Sequence, residues 1–89
     1  MFNKAQIEQI LTQKFQPLRL IVNDDSHKHA GHNAEAASGG THFSLEIVSK
    51  EFSGKKLVDR HRMVYDALAQ GLQTRIHALA IKAMSPEEV

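Results

Sequence analysis

The 89-residue chain contains no cysteine. This absence excludes a disulfide scaffold, a cysteine nucleophile and any thiolate metal site built from this chain alone. The formal net charge is only +1, whereas a dedicated nucleic-acid module usually carries a clear basic excess. No apolar run approaches the length of a membrane span, and the N-terminus lacks a signal-peptide pattern. We therefore expect a single domain over residues 1–89, located in the cytoplasm or in an organelle matrix after loss of a presequence.

Histidine, in contrast, is abundant. The chain has six histidines, and three of them, His27, His29 and His32, fall within one short stretch. The surrounding residues 27–40 are small and polar, include three glycines and show no periodicity, which predicts a long loop. A loop of this length in so small a domain is more often functional or disordered than merely connecting. Neutral imidazole is a good ligand for iron, zinc or copper, so metal binding is the first hypothesis.

The longest periodic stretch, residues 52–72, predicts a helix that follows a Ser-Gly turn. Its expected buried face carries apolar residues and one histidine at spacings of three and four: Leu57, His61, Val64, Leu68 and Leu72. Val58 and Tyr65 widen this face. We expect His61 to be buried and hydrogen-bonded in the core, and Gly71 to fray the helix end. Three charged residues lie off the face and are expected to point to water: Arg60, Arg62 and Asp66.

The remaining pattern predicts a first helix over residues 3–15, stopped by Pro17, and three strands over residues 18–23, 42–49 and 76–83. The first two strands are expected to pair as a hairpin. A strand, a crossover helix and another strand form a parallel unit, so the third strand should pair in parallel with the second. The predicted fold class is α+β: a three-stranded mixed sheet with helices packed on one face, in the order helix-strand-strand-helix-strand. Residues 85–88 have the pattern of a helix start.

Several segments together resemble the BolA-like family over essentially the whole chain. They are HKHAGH at 27–32, THF at 41–43, IVS at 47–49, FSGKKLVDRHR at 52–62, VYDAL at 64–68 and IHALAIKA at 76–83. The resemblance implies a fold similar to the class II KH arrangement, in agreement with the order of elements above. The GxxG loop that grips nucleic acid in true KH domains is not found, because Gly54 has no glycine three residues later.

The resemblance also implies a function. BolA-like proteins bind monothiol glutaredoxins and share a two-iron two-sulfur cluster, for which the glutaredoxin and glutathione supply thiolates. On this chain the implied metal ligands are His77, in the last strand, and His29 in the loop, with His32 as the second choice. A chain without cysteine fits this role, because it could complete a cluster but not hold one alone. The alternative interpretation is that the loop histidines are solvated polar residues and that His77 is a histidine at a strand end with one hydrogen bond.

DNA binding by a transcriptional regulator is the second hypothesis. Lys55, Lys56, Arg60 and Arg62 cluster around the start of the main helix, and helix N-termini favour phosphates. The predicted nucleic-acid-binding residues are Lys56, Arg60 and Arg62. An enzyme is not expected, because the sequence shows no nucleophile beside a base, no paired buried carboxylates and no phosphate-cradling loop.

Overall fold

The computed structural model describes residues 3–25, 42–73 and 78–89. Helix α1, Lys4–Phe15, begins at a capping box. The Asn3 side chain accepts a hydrogen bond from the backbone N–H of Gln6 at 2.9 Å, and the Gln6 side chain accepts one from the Asn3 N–H at 2.8 Å. These bonds satisfy two of the free N–H groups of the first turn. The helix ends where Gln16 adopts a left-handed conformation before Pro17, as the proline predicts.

A mixed three-stranded sheet forms the other layer. Strands β1, Arg19–Asp24, and β2, His42–Val48, pair antiparallel, and β2 pairs in parallel with β3, Ala78–Met84. Helix α2, Leu57–Leu72, connects β2 to β3. It follows a short 3-10 helix, Lys50–Phe52, and a turn in which Gly54 has a φ of 74°. The predicted order, pairing and α+β class are therefore confirmed, and the predicted third strand is described from Ala78 onward.

Both helices cover the same face of the sheet. Alternate strand residues point toward them and, with side chains of both helices, form a core of buried residues. The core contains Ile7, Leu11, Phe15, Val22, Phe43, Leu45, Ile47, Phe52, Val64, Ala67, Leu68 and Ala83. Leu20, Leu79 and Ile81 pack against it while partly buried. The predicted first strand began at Leu18, but this residue precedes β1 and is 66% exposed.

At its N-terminal end, α2 buries a different face from the one that periodicity predicts. Val64 and Leu68 are buried as expected, but Leu57 is 65% exposed and His61 is only partly buried. Arg60, which was expected to face water, is buried, so that prediction is wrong. The physical reason is hydrogen bonding, because the guanidinium of Arg60 reaches backbone carbonyl groups on two neighbouring segments.

Gly71 does not fray α2, contrary to expectation, because the helix continues through it to Leu72. This glycine lies where α1 and α2 approach each other. A Cβ atom at position 71 would come within 2.7 Å of Cδ1 and 2.8 Å of Cγ1 of Ile10. The absence of a side chain therefore permits the close approach of the two helices at this point.

Two further features complete the fold. The predicted helix start near the C-terminus is a 3-10 helix, Pro86–Glu88, with a capping box at Ser85. Among the helices in the described part of the chain, none is both long enough and apolar enough to span a lipid bilayer.

Candidate functional site

Each of the three strands has one of its ends at the same end of the sheet. β1 ends at Asp24 beside Phe43, near the start of β2, and His42 at the start of β2 is the register partner of Ala78 at the start of β3. The backbone N–H of Asp25 also donates to the carbonyl oxygen of His42 over 2.8 Å. The points where the chain leaves β1, enters β2 and enters β3 are therefore neighbours at this sheet end.

The histidines implied as metal ligands are attached to this sheet end by the covalent chain. His77 directly precedes Ala78, and the segment that carries His27, His29 and His32 joins Asp25 to His42. These four histidines lie outside the described residues, so their prediction as ligands stays a prediction. Across residues 3–25, 42–73 and 78–89, no group of three or more His, Asp or Glu side chains is arranged to hold a metal ion.

An open depression lies on the surface at the same sheet end. It is lined by Asp25, His42, Phe43, Ala78, Leu79 and Ala80. His42 is partly buried here. Of the residues that line the depression, Asp25 and His42 are polar and the other four are apolar.

Tyr65 ties helix α2 to the start of β3 near this surface. Its hydroxyl donates a hydrogen bond to the carbonyl oxygen of Leu79 over 3.0 Å, while 39% of the residue remains exposed. The carbonyl oxygens of Leu79 and Ala83 both accept from α2 side chains, the second from Arg60. Sequence reasoning placed Tyr65 on the apolar face and missed this contact, because its partner lies 14 residues away.

The basic residues predicted to bind nucleic acid divide into two groups. Lys55, Lys56 and Arg62 are exposed at the start of α2. Arg60 is 5% exposed, and its Nε donates to the carbonyl oxygen of Lys55 over 2.9 Å and its Nη1 to that of Ala83 over 3.0 Å. With its guanidinium committed to these partners, Arg60 is not available to a phosphate. The predicted nucleic-acid surface is thus reduced to the exposed cations.

The guanidinium of Arg60 also forms a two-point ion pair with the carboxylate of Glu88. Hydrogen bonding to Arg60 is the main reason why the pKa of Glu88 is lowered to about 2, and the Ser85 backbone N–H, which donates over 2.7 Å, lowers that pKa further. The Ser53 hydroxyl donates to the neighbouring Glu87 over 3.1 Å. Arg60 therefore fastens the C-terminal 3-10 helix to α2 and β3. The sequence indicated the cap but not its partner on α2.

The fold and this sheet end define a small α+β domain with two helices on one face of a mixed sheet. A family model described as BolA-like protein matches residues 11–88. The chain is 47% identical over 87 residues to SufE-like protein 1, chloroplastic/mitochondrial, of Arabidopsis thaliana, covering 93% of this chain but 24% of that protein. It is 40% identical over 88 residues to the DNA-binding transcriptional regulator BolA of Escherichia coli K12, covering 99% of this chain and 80% of that protein.

The solved structures agree with the sequence comparison. The BolA domain of SufE1 from Arabidopsis thaliana superposes on the chain with a TM-score of 0.82 and 43% sequence identity, and the match covers 100% of each chain. The chain therefore belongs to the BolA-like family.

Proposed function

We propose that this chain is a partner of monothiol glutaredoxins and contributes histidine ligands to a two-iron two-sulfur cluster shared across the interface, in iron–sulfur trafficking or iron sensing. The observation that supports this most is the meeting of three strand termini at one sheet end. His77 is joined covalently to the start of β3, and the segment that contains His29 joins the end of β1 to the start of β2. Two potential ligands that are distant in sequence are thus tethered to neighbouring points.

The donor chemistry of the chain suits this role. Imidazole nitrogen binds iron, and histidines replace two cysteines on one iron in Rieske clusters, where they raise the reduction potential. With no cysteine in the chain, the sulfur ligands must come from the glutaredoxin and glutathione. The proposed metal ligands of this chain are His77 and His29, with His32 as the alternative loop ligand. When bound, the cluster would take part in electron transfer or would itself be transferred.

The two proposed ligands are attached to the sheet in different ways. His77 precedes a strand that is paired along its described length with the central strand β2, so the backbone after it is fixed. The loop histidines are two to seven residues beyond Asp25 and 10 or more residues before His42. With one ligand directly beside a paired strand and the other several residues from one, the chain would be able to adapt to a cluster presented by a partner.

The test is to mix the chain with a monothiol glutaredoxin, ferrous iron, sulfide and glutathione under anaerobic conditions and to record visible absorption and circular dichroism. We expect a spectrum that differs from that of the glutaredoxin alone. His77→Ala should abolish or shift this spectrum, and His29→Ala should do so more weakly if His32 substitutes. His61→Ala is the matched control, because it removes an imidazole from α2 and should leave the spectrum unchanged. An unchanged spectrum and cluster lifetime with His77→Ala would refute the ligand assignment.

DNA binding is the second candidate function. It is supported by the three exposed cations at the start of α2, Lys55, Lys56 and Arg62, and by the printed name of the Escherichia coli relative, DNA-binding transcriptional regulator. Arg60 is no longer part of this proposal, because its guanidinium is buried and hydrogen-bonded within the chain.

Salt dependence tests this alternative. If Lys56 and Arg62 contact phosphates, replacing both by Ala should weaken binding equally on all duplex sequences and reduce the slope of affinity against salt by about 2, since each neutralised phosphate contributes about 0.9. We expect little sequence-selective binding at physiological salt. Sequence-selective binding in the nanomolar range would place this function ahead of the first.

A further inference from the structure

We propose that Glu88 is an autoinhibitory residue, whose carboxylate occupies the place on the guanidinium of Arg60 that a phosphate group takes once the C-terminal 3-10 helix opens. Opening adds Arg60 to the exposed cations at the start of α2. The phosphate is assigned to a nucleic-acid backbone, and this part of the inference rests on the second candidate function, DNA binding. The anion site itself does not depend on that function.

The guanidinium of Arg60 is held in position by groups other than Glu88. Its Nε donates to the carbonyl oxygen of Lys55 over 2.9 Å, and its Nη1 donates to that of Ala83 over 3.0 Å. Both acceptors belong to the backbone, one just before α2 and one in β3. Nη1 and Nη2 together donate to the two carboxylate oxygens of Glu88. Such a pair of N–H donors fits two oxygens of a carboxylate or of a phosphate.

The segment that carries Glu88 contributes nothing to the core. None of the residues of the 3-10 helix, Pro86–Glu88, is buried, and 46% of the Glu88 side chain is exposed. Ser85, directly before this helix, is only 3% exposed. A segment without buried apolar contacts opens at a low cost in free energy. Ser85 is therefore the fixed point from which the segment can open, and the place that Glu88 occupies is accessible from solvent.

The charges around Arg60 favour an external oxyanion once Glu88 has left. Lys55 and Lys56 are exposed directly before α2. Asp59 is the acidic residue in the first turn of the helix, and it is present whether the segment is open or closed. A guanidinium that is only 5% exposed becomes a buried charge without a counter-ion when it loses its carboxylate, which is costly. A phosphate that takes the place of Glu88 restores the ion pair.

The test compares Glu88→Gln with Glu87→Gln. Both variants lose one negative charge, but Glu87 accepts a hydrogen bond from Ser53, whereas Glu88 pairs with Arg60. The side-chain N–H signals of Arg60 in 1H–15N nuclear magnetic resonance report on the site while inorganic phosphate is added at constant ionic strength. We expect these signals to shift saturably in Glu88→Gln and to stay unchanged in Glu87→Gln and in the natural chain.

Duplex DNA provides the second measurement. If the released Arg60 contacts one backbone phosphate, the slope of log affinity against log salt should be steeper by about 0.9 in Glu88→Gln than in Glu87→Gln. A tenfold rise in salt should then weaken the binding of Glu88→Gln by about 8-fold more. The lost negative charge is common to both variants, so it cannot cause this difference. On DNA binding, the Arg60 signals should move in Glu88→Gln alone.

The outcomes separate this inference from the DNA-binding function. If phosphate leaves the Arg60 signals of Glu88→Gln unchanged, there is no anion site and the inference is overturned. If the signals of the natural chain shift as far as those of Glu88→Gln, Glu88 inhibits nothing and the inference is also overturned. If phosphate shifts the signals in Glu88→Gln alone but no chain binds duplex DNA, the anion site stands and the second candidate function fails. Equal salt slopes for two variants that both bind DNA would overturn the assignment of a backbone phosphate as the ligand of Arg60.

Discussion

Replacing Arg60 by Ala, compared with replacing Arg62 by Ala, tests the packing of α2 most sharply. Both residues are arginines on the same helix turn, yet one is 5% exposed with three partners and the other points to water. In Arg60→Ala the carbonyl oxygen of Ala83, a buried residue, loses its donor, and the carbonyl group of Lys55 loses another.

The magnitude follows from these contacts. A hydrogen bond to a charged group is worth about 1.5–3 kcal/mol, and the Lys55 carbonyl group regains part of this from water because Lys55 is exposed. We expect a loss of about 2–4 kcal/mol for Arg60→Ala and a change within about 0.5 kcal/mol for Arg62→Ala. A domain of this size has a total of roughly 4–13 kcal/mol, so the first loss is a large share.

The assay is urea unfolding followed by circular dichroism. With a slope of about 1 kcal/mol per M, Arg60→Ala should lower the midpoint by about 2–4 M and Arg62→Ala by no more than about 0.5 M. Arg60→Lys should recover little, because a single ammonium group cannot reach the separate partners that the planar guanidinium bridges. Equal midpoints for the two alanine variants would refute the burial of Arg60 and its contacts with Lys55, Ala83 and Glu88.

Three further predictions concern the termini and the core. The pKa of Glu88 is lowered from 4.5 to about 2, mainly by its hydrogen bonds to Arg60. The contribution of the ion pair to stability is therefore present above about pH 4.5 and is lost as the pH falls toward 2. The urea midpoints of the natural chain and of Glu88→Gln should converge over that pH range, and a constant difference would contradict the ion pair. Gly71→Ala should fail to stabilise the natural chain but should stabilise an Ile10→Ala background by about 1 kcal/mol, because helix propensity then acts without the clash; equal effects in both backgrounds would show that the clash is absent. Leu68→Ala should cost about 2–5 kcal/mol in urea unfolding, and a cost below 1 kcal/mol would show that this residue is not in the core.

The order and pairing of the elements could be predicted from sequence because they follow from local periodicity. Alternation of apolar and polar residues predicted the second strand, in which Phe43, Leu45 and Ile47 are buried. The crossover rule predicted the parallel pairing of β3. Pro17 correctly marked the end of α1. The elements themselves follow from patterns within a few positions, and the pairing of β3 follows from a general rule on strand connections that needs no knowledge of particular distant contacts.

Periodicity failed at the first turn of α2, where the surroundings depend on distant segments. Periodicity predicted that Leu57 is buried and Arg60 exposed, whereas Leu57 is exposed and Arg60 is buried. The partners of Arg60 lie 5, 23 and 28 positions away, so no local pattern could have shown that an arginine would fill this place. The contact of Gly71 with Ile10 was missed for the same reason.

The candidate site was predicted less from spacing than from the family resemblance. Histidine abundance pointed to the segment with His29, but a cluster of imidazoles in sequence does not show which of them meet in space. What the described structure adds is the meeting of the strand ends to which His29 and His77 are joined. The hydrogen bond from Tyr65 to the carbonyl oxygen of Leu79 was not visible in sequence, since any residue at position 79 would supply a backbone carbonyl group.

The most direct test of the central claim is pulsed electron paramagnetic resonance on the reduced cluster, using the chain labelled with 15N in histidine together with unlabelled glutaredoxin and glutathione. Direct ligation by His77 and a loop histidine predicts a 15N hyperfine coupling of the size expected for metal-bound imidazole nitrogen, present in the natural chain and in His61→Ala and reduced or lost in His77→Ala. A cluster that forms in the mixture without any 15N coupling of that size would contradict the account, because all its ligands would then come from the glutaredoxin and glutathione.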